Sequence, residues 1–200
     1  MPVDSTASDD LLVKVREAYS KAADNPQDSH PFPLGFDFAL SLGYPEELLR
    51  SLPKSSVERF TGVSNVSVFA EIPAGAIVLD LGCGGGADSL IAASKTGPTG
   101  RVYGVDFSRP MLSRARAGAA EAGAGNVEFR EAEGQRIPFA DGAFDIALVN
   151  GMFNLNPNRQ GLFQELARVI RPGGTLYGGE IILCEPMGDE ERAGLNNWFS

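Results

Sequence analysis

Asp80, the four glycines among Gly82, Gly84, Gly85 and Gly86, and Asp106 are the residues whose types and spacing could do chemistry. Glycines carry no Cβ, so a ligand can lie directly against the backbone. A helix starting at Ala87 would add free N–H groups and partial positive charge beyond the turn. A carboxylate two residues ahead of the first glycine repels a pyrophosphate across a few Å of low-dielectric space and suits a ligand with a positive end. Asp106 falls at the end of the next strand, where a carboxylate can accept hydrogen bonds from ribose hydroxyls. The pattern is one of binding rather than proton transfer, and no residue is singled out as catalytic.

These residues need strands and helices to hold them. Residues 76–81 form a short aliphatic run that reads as a strand, and 87–95 as a helix. Strands follow at 101–106, 127–131, 144–149 and 175–183, with helices opening at Pro110 and at Asn156-Pro157. Met111, Leu112, Ala115, Ala119 and Ala122 lie on the inner face of the first of these helices. Arg171-Pro172-Gly173-Gly174 reads as a sharp break before the last strand. Such alternation means an α/β fold, a doubly wound and mostly parallel sheet with helices on both faces. Ahead of it, residues 9–23 carry an amphipathic pattern, Pro45 opens a second helix, and Ser55 to Glu58 fits a capping box. The domains are therefore a helical cap over 1–70 and a ligand-binding domain over 71–200.

A net charge of −9 argues against nucleic acid or an anionic membrane surface as partner. Two cysteines, Cys83 and Cys184, give neither a disulfide framework nor a metal-ligand spacing, so no metal is expected. No signal peptide and no run near the ~18 apolar residues of a membrane span appear, and a cytoplasmic setting follows.

The glycines alone leave the ligand open. Gly82, Gly84 and Ala87 satisfy G-x-G-x-x-[GA], so an NAD(P)-dependent oxidoreductase is one reading. Asp80 favours another. S-adenosylmethionine carries an α-ammonium, a sulfonium and an adenosine, with no phosphate, and matches an acid at the turn and an acid on the ribose.

Asp80-Leu81-Gly82-Cys83-Gly84-Gly85-Gly86 resembles the D-x-G-x-G-x-G motif of class I S-adenosylmethionine-dependent methyltransferases. Val102 to Asp106 with Met111-Leu112, Ile137-Pro138-Phe139 through Asp145, and Phe163 to Gly174 resemble three further stretches of that class, in the same order. The resemblance implies a Rossmann-like sheet of order 3-2-1-4-5. It implies that Asp80, Gly82 and Gly84 hold the methionine end, Asp106 the ribose, and Phe107 the adenine. Met111 belongs to the second motif, Glu133 and Gly134 would meet the adenine edge, and Asn150 would line the methyl-donor pocket. Cys83 reads as small and buried rather than nucleophilic. The reaction implied is methyl transfer to a small-molecule acceptor, with a non-catalytic S-adenosylmethionine-binding protein as the alternative from another class.

Within the class the chain is similar to arsenite methyltransferases, on Asn150 to Leu155, Leu42 to Pro53 and Gly62 to Asn65, and Tyr19 resembles a family tyrosine near the cofactor. That family holds As(III) with cysteine thiolates. One belongs where this chain has Gly151 and another near Gly62 to Ser64, and neither is here. Oxygen and amide groups are poor substitutes for a thiophilic centre. The resemblance thus implies an altered or incomplete acceptor site. The class also continues past strand 5 with a helix and an antiparallel hairpin. Here 189–197 would begin that helix, and the hairpin is expected to be missing. Strand 5 would then be an exposed edge, a place for a second copy to form a homodimer. Three readings of the ending stay open: a shortened chain, a naturally short one, or a selenocysteine codon after Ser200 read as stop.

Overall fold

Five strands supply the sheet, in the order β3-β2-β1-β4-β5 and parallel at every pairing. The computed structural model describes residues 5–133, 136–182 and 184. The strands are β1 (Ile77–Leu81), β2 (Arg101–Asp106), β3 (Val127–Glu131), β4 (Phe144–Asn150) and β5 (Ile170–Gly179). Between them run helices α6 (Ala87–Thr96), α7 (Arg109–Glu121) and α8 (Arg159–Val169). Five helices precede the sheet: α1 (Ser5–Asp24), α2 (Phe36–Ser41), α3 (Glu46–Ser51), α4 (Lys54–Val57) and α5 (Val66–Phe69). The expected class and strand order hold.

Both faces of the sheet are buried, as parallel strands require. Leu79, Leu81, Phe144 and Val149 pack with Leu162 and Leu166 of α8. Val78, Val102, Ile146 and Leu148 pack on the other face with Ala92 and Ala93 of α6. This strict alternation decides which side each strand-end residue takes. Asp80, Asp106 and Asn150 share the face of Val78, Val102 and Leu148, the face that α6 covers.

Three local expectations are corrected. The 55–58 capping box does not form: α4 starts at Lys54 after Pro53 with no side-chain cap, and the Ser55 and Ser56 hydroxyls lie inside it without partners. Asn158, not Asn156, caps α8, by accepting the Gly161 N–H at 2.9 Å. The last strand begins at Ile170 and ends at Gly179, so Arg171 to Gly174 is an irregularity within β5 rather than a break before it. Phe144 pairs with Ile170 and Ile146 with Thr175, which absorbs the extra residues as a bulge. The expected helix over 189–197 lies outside the described residues. Among those described, α2 and α5 were not anticipated; each is a short turn too brief for a periodic signal.

Candidate functional site

The carboxyl ends of β1, β2 and β4 meet around a crevice on the α6 side. Asp80 is 2% exposed, and Ser89 of α6 donates to its Oδ2 at 2.5 Å. Asp106 is 8% exposed and takes two backbone bonds: Gly84 N–H to Oδ2 at 2.9 Å and Ser108 N–H to Oδ1 at 2.8 Å. One carboxylate thus fixes both the glycine turn after β1 and the start of α7. Gly84 has φ +50°, and a Cβ there would meet nothing within 4 Å. The turn therefore presents bare backbone to open space, a cradle for a ligand. Gly86 has a different reason to be glycine. Its φ is +84°, and a Cβ would lie 3.0 Å from Ala115 of α7.

The space divides in two. Tyr19, Gly82, Gly84, Asp106, Phe107 and Asn150 line one part, of about 50 Å³. Asp80, Asp88, Arg59 and Gly85 line the other, of about 30 Å³, with Gly82, Gly84 and Asn150 common to both. Ligand pockets usually reach roughly 300 Å³ or more, so side chains must move for one to enter. Met152 stands in the way, with Sδ 3.1 Å from the point where a Gly82 Cβ would be. A concavity of about 730 Å³ lies elsewhere, along Arg168, Ile170, Arg171 and Phe163. It sits at the amino end of β5, away from the strand ends where α/β sheets bind ligands.

Most expected site residues converge, and two do not. Tyr19 of α1 stacks on Phe32 at 4.7 Å and meets Phe107 edge-on at 6.5 Å. Burial first, then the Asp106 and Glu180 carboxylates, push its phenol pKa up, so it stays neutral. Met111 points inward, as its place on the helix predicts, and its side chain is fully buried against Ala22 and Ala23, because α1 covers that face of α7. Glu133 also lies apart from the cavity. Its carboxylate is 65% exposed and pairs with Arg16 at 3.0 Å, while the neighbouring Ala132 lines the cavity. Gly134 lies outside the described residues.

Asn150 lines the cavity but has little amide left for a ligand. Its Oδ1 accepts the Val63 and Ser64 N–H groups at 2.8 and 3.1 Å. Its Nδ2 donates to Ser64 O at 2.7 Å and to Asp88 Oδ2 at 2.9 Å. It clasps the 62–65 segment to the end of β4. The two positions that would bear thiolates also meet here, since a Cβ on Gly151 would lie 3.0 Å from Val63 Cγ1. No thiol faces them among the described residues: Cys83 is buried beside Phe129, and Cys184 is exposed.

Asp88, Tyr44 and Met152 are site residues that sequence reasoning missed. An acid in the first turn of α6 reads as an ordinary helix-dipole partner, and nothing local says that Asp88 is 7% exposed. Tyr44 donates to its Oδ1 at 2.6 Å, and Ser67 donates to the same oxygen.

Burial drives the Asp80, Asp88 and Asp106 pKa values up, and at Asp80 the neighbouring Asp88 adds to it, to about 8. The consequence for stability has a definite sign. A carboxyl with a raised folded-state pKa binds more protons folded than unfolded, so stability falls as pH rises from the unfolded value near 4 to the folded one. The ligand-free protein is expected to lose several degrees of Tm between pH 5 and pH 8, and Asp80→Asn to flatten that slope. A wild-type Tm that rises over this range would contradict the assignment. Asp145 and Glu165, whose pKa values are lowered by backbone and arginine bonds, act with the opposite sign but below this window.

Residues 72–192 match the sequence profile of a methyltransferase domain. The chain is 40% identical to the arsenite methyltransferase of Halobacterium salinarum over 129 residues, 64% of this chain and 33% of that protein. It is 35% identical to the demethylmenaquinone methyltransferase of Lactococcus lactis over 102 residues, 51% of this chain and 40% of that protein. It therefore spans well under half the length of these curated relatives. Among solved structures it is similar to an arsenic(III) S-adenosylmethionine methyltransferase from Chlamydomonas reinhardtii, with a TM-score of 0.66 and 29% identity. That match covers 74% of this chain and 52% of that one.

Proposed function

Because the chain belongs to the methyltransferase-domain family of class I S-adenosylmethionine-dependent enzymes, we propose that it transfers a methyl group from S-adenosylmethionine to a small-molecule acceptor. The observation that carries this reading is the pairing of a bare glycine turn with buried carboxylates on either side of it. Gly84 leaves room for the ligand backbone, and Asp106 keeps lone pairs for ribose hydroxyls beside its two backbone bonds. Among the described residues Ser89 is the hydrogen-bond partner of the Asp80 carboxylate, which suits an α-ammonium. The same acid weighs against a dinucleotide pyrophosphate. When bound, S-adenosylmethionine supplies an electrophilic methyl group on a sulfonium.

The chain's own part is to bind, align and exclude water. Methyl transfer needs the acceptor held at about 3 Å and in line with the breaking bond, and an acceptor with a free lone pair needs no base. Tyr19 and Phe107 form an apolar wall, and Arg16 over the Phe107 ring at 5.7 Å ties α1 across it. Met152, Leu155 and Thr61 line the rest of the cavity and would shape the acceptor side. The absence of a thiol at Gly151 and Val63 supports an acceptor other than one held by a thiolate pair. The relatives' own names differ in acceptor, arsenite in one and demethylmenaquinone in another, which supports assigning the donor before the acceptor.

The charge of −9 supports a small molecule over nucleic acid. β5 pairs only with β4 among the described residues, which supports a homodimer formed by a second copy along its other edge. No helix among those residues is long and apolar enough to cross a membrane. A cytoplasmic setting belongs to the same proposal, supported by the unpaired state of Cys83 and Cys184.

Thermal unfolding with S-adenosylmethionine and with NADH tests the reading. A ligand at a hundred times its Kd stabilises by about 2.7 kcal/mol, which raises the Tm of a domain this size by roughly 5–10 °C. That shift is expected with S-adenosylmethionine and absent with NADH. The reverse pattern would overturn the assignment.

A further inference from the structure

We propose that Asp88 is a positioning residue of the methyl-donor site, and that its charge keeps a proton on Asp80 in the ligand-free protein, which Asp80 releases when the donor's α-ammonium enters. The inference rests on the donor assignment above and extends it to a residue and a proton that the assignment does not use.

Both carboxylates line the small space beside Gly84 and Gly85 and are almost fully buried. They differ in their donors. Asp88 is held by Tyr44 at 2.6 Å, by Ser67, and by Asn150 at 2.9 Å, a set that favours its charged form. Asp80 has Ser89. Two buried negative charges lining one cavity repel each other strongly, so the less supported one takes up a proton. The groups around Asp80 do not remove that need. Asp106 faces it from β2 and adds negative charge, Tyr44 is a neutral phenol, and the Cys83 thiol is pushed up by burial. Arg59, at the end of α4, is the one cation lining this space among the described residues. Its guanidinium is taken by Ala23 O at 2.6 Å, by Ser55 O at 3.2 Å, and by a longer pairing with Glu58 at 3.6 Å.

Among the described residues no cation is left to answer the two carboxylates in the ligand-free protein, and a proton takes that place. When an ammonium arrives, the O–H bond of Asp80 breaks, its electron pair stays on the carboxylate, and the proton passes to solvent. Asp88 sets the pH at which this happens. It also links α6 to the Asn150 clasp, so the same charge that tunes Asp80 fixes the 62–65 segment over the pocket.

Calorimetric titration with S-adenosylmethionine in two buffers of different ionisation enthalpy reads the proton directly. At pH 6.5 the donor's own amine is already charged, given an α-amino pKa of about 7.7–8.0. Wild-type protein is expected to release close to one proton per donor bound. Asp80→Asn should release none, and Asp88→Asn should move the pH of half-maximal release down by about one unit. Binding without proton release at pH 6.5, or an unmoved midpoint in Asp88→Asn, overturns the proposal. No binding of S-adenosylmethionine at any pH from 6 to 9 overturns the donor assignment instead. Should Asp88→Asn fail to fold, infrared difference spectra of the wild type decide. Adding S-adenosylmethionine must remove a protonated-carboxyl C=O band, and a band that persists with ligand bound refutes the proton on Asp80.

Discussion

Asp106→Ala is expected to weaken S-adenosylmethionine binding by about a hundredfold. The carboxylate does two things at once. It accepts the Gly84 and Ser108 N–H groups, which sets the glycine turn and the start of α7. Its remaining lone pairs are where ribose hydroxyls would bond. Hydrogen bonds to a charged group contribute about 1.5–3 kcal/mol each, and a loss of about 3 kcal/mol is roughly two decades in Kd. Thermal stability should suffer less than binding, because burial disfavours this carboxylate and pushes its pKa up. Asp106→Asn separates the roles. It keeps the volume but turns an N–H2 toward one of the two backbone donors, so an intermediate loss of about tenfold is expected. Calorimetric titration of both variants measures this. An alanine variant binding within threefold of wild type would put the ribose elsewhere.

Asn150→Ala is the second large effect, and it should appear in stability as well as in binding. The side chain satisfies the Val63 and Ser64 N–H groups, the Ser64 carbonyl, and one oxygen of Asp88. Removing it strands these groups in a part-buried place. Each unsatisfied buried group costs about 1–3 kcal/mol, and some will find water, so a total near 3 kcal/mol is reasonable. For a chain of this length that is a fall in Tm of about 6–12 °C. Amide exchange at Val63 and Ser64 should accelerate in step, and donor binding should weaken about tenfold as the segment over the pocket loosens. A Tm within 2 °C of wild type, with slow exchange at those amides, would mean that the 62–65 segment is held by something else. Asn150→Asp is a useful contrast. It places a second carboxylate against Asp88 and should be worse than alanine at pH 8.

These two residues show how unevenly the sequence speaks. Asp106 was legible as a site residue because its place at the end of a strand, after a glycine motif, is itself the signal. Asn150 was also legible as a pocket residue, but its work was not. Its partners lie 86 and 87 residues earlier at Ser64 and Val63, and no local pattern connects them. Met111 and Glu133, which lie away from the cavity, show the same thing in reverse. Motif position put them at the cofactor, while the packing of α1 on α7 buried Met111 against Ala22 and Ala23, and Arg16 drew Glu133 to the surface.

The sequence by itself determined the alternation of strands and helices, the parallel sheet, the glycine turn, and the acids at the ends of β1 and β2. Each follows from local periodicity and backbone freedom, which neighbouring residues encode. Tertiary structure alone decided that Asp80 and Asp88 line one small pocket, that Asn150 ties the 62–65 segment to β4, and that Gly151 rests near Val63. Those outcomes depend on which residues far apart in sequence are brought together, and on how much water is removed when they meet. Burial is what turns an unremarkable acid in the first turn of a helix into a charge that must be answered.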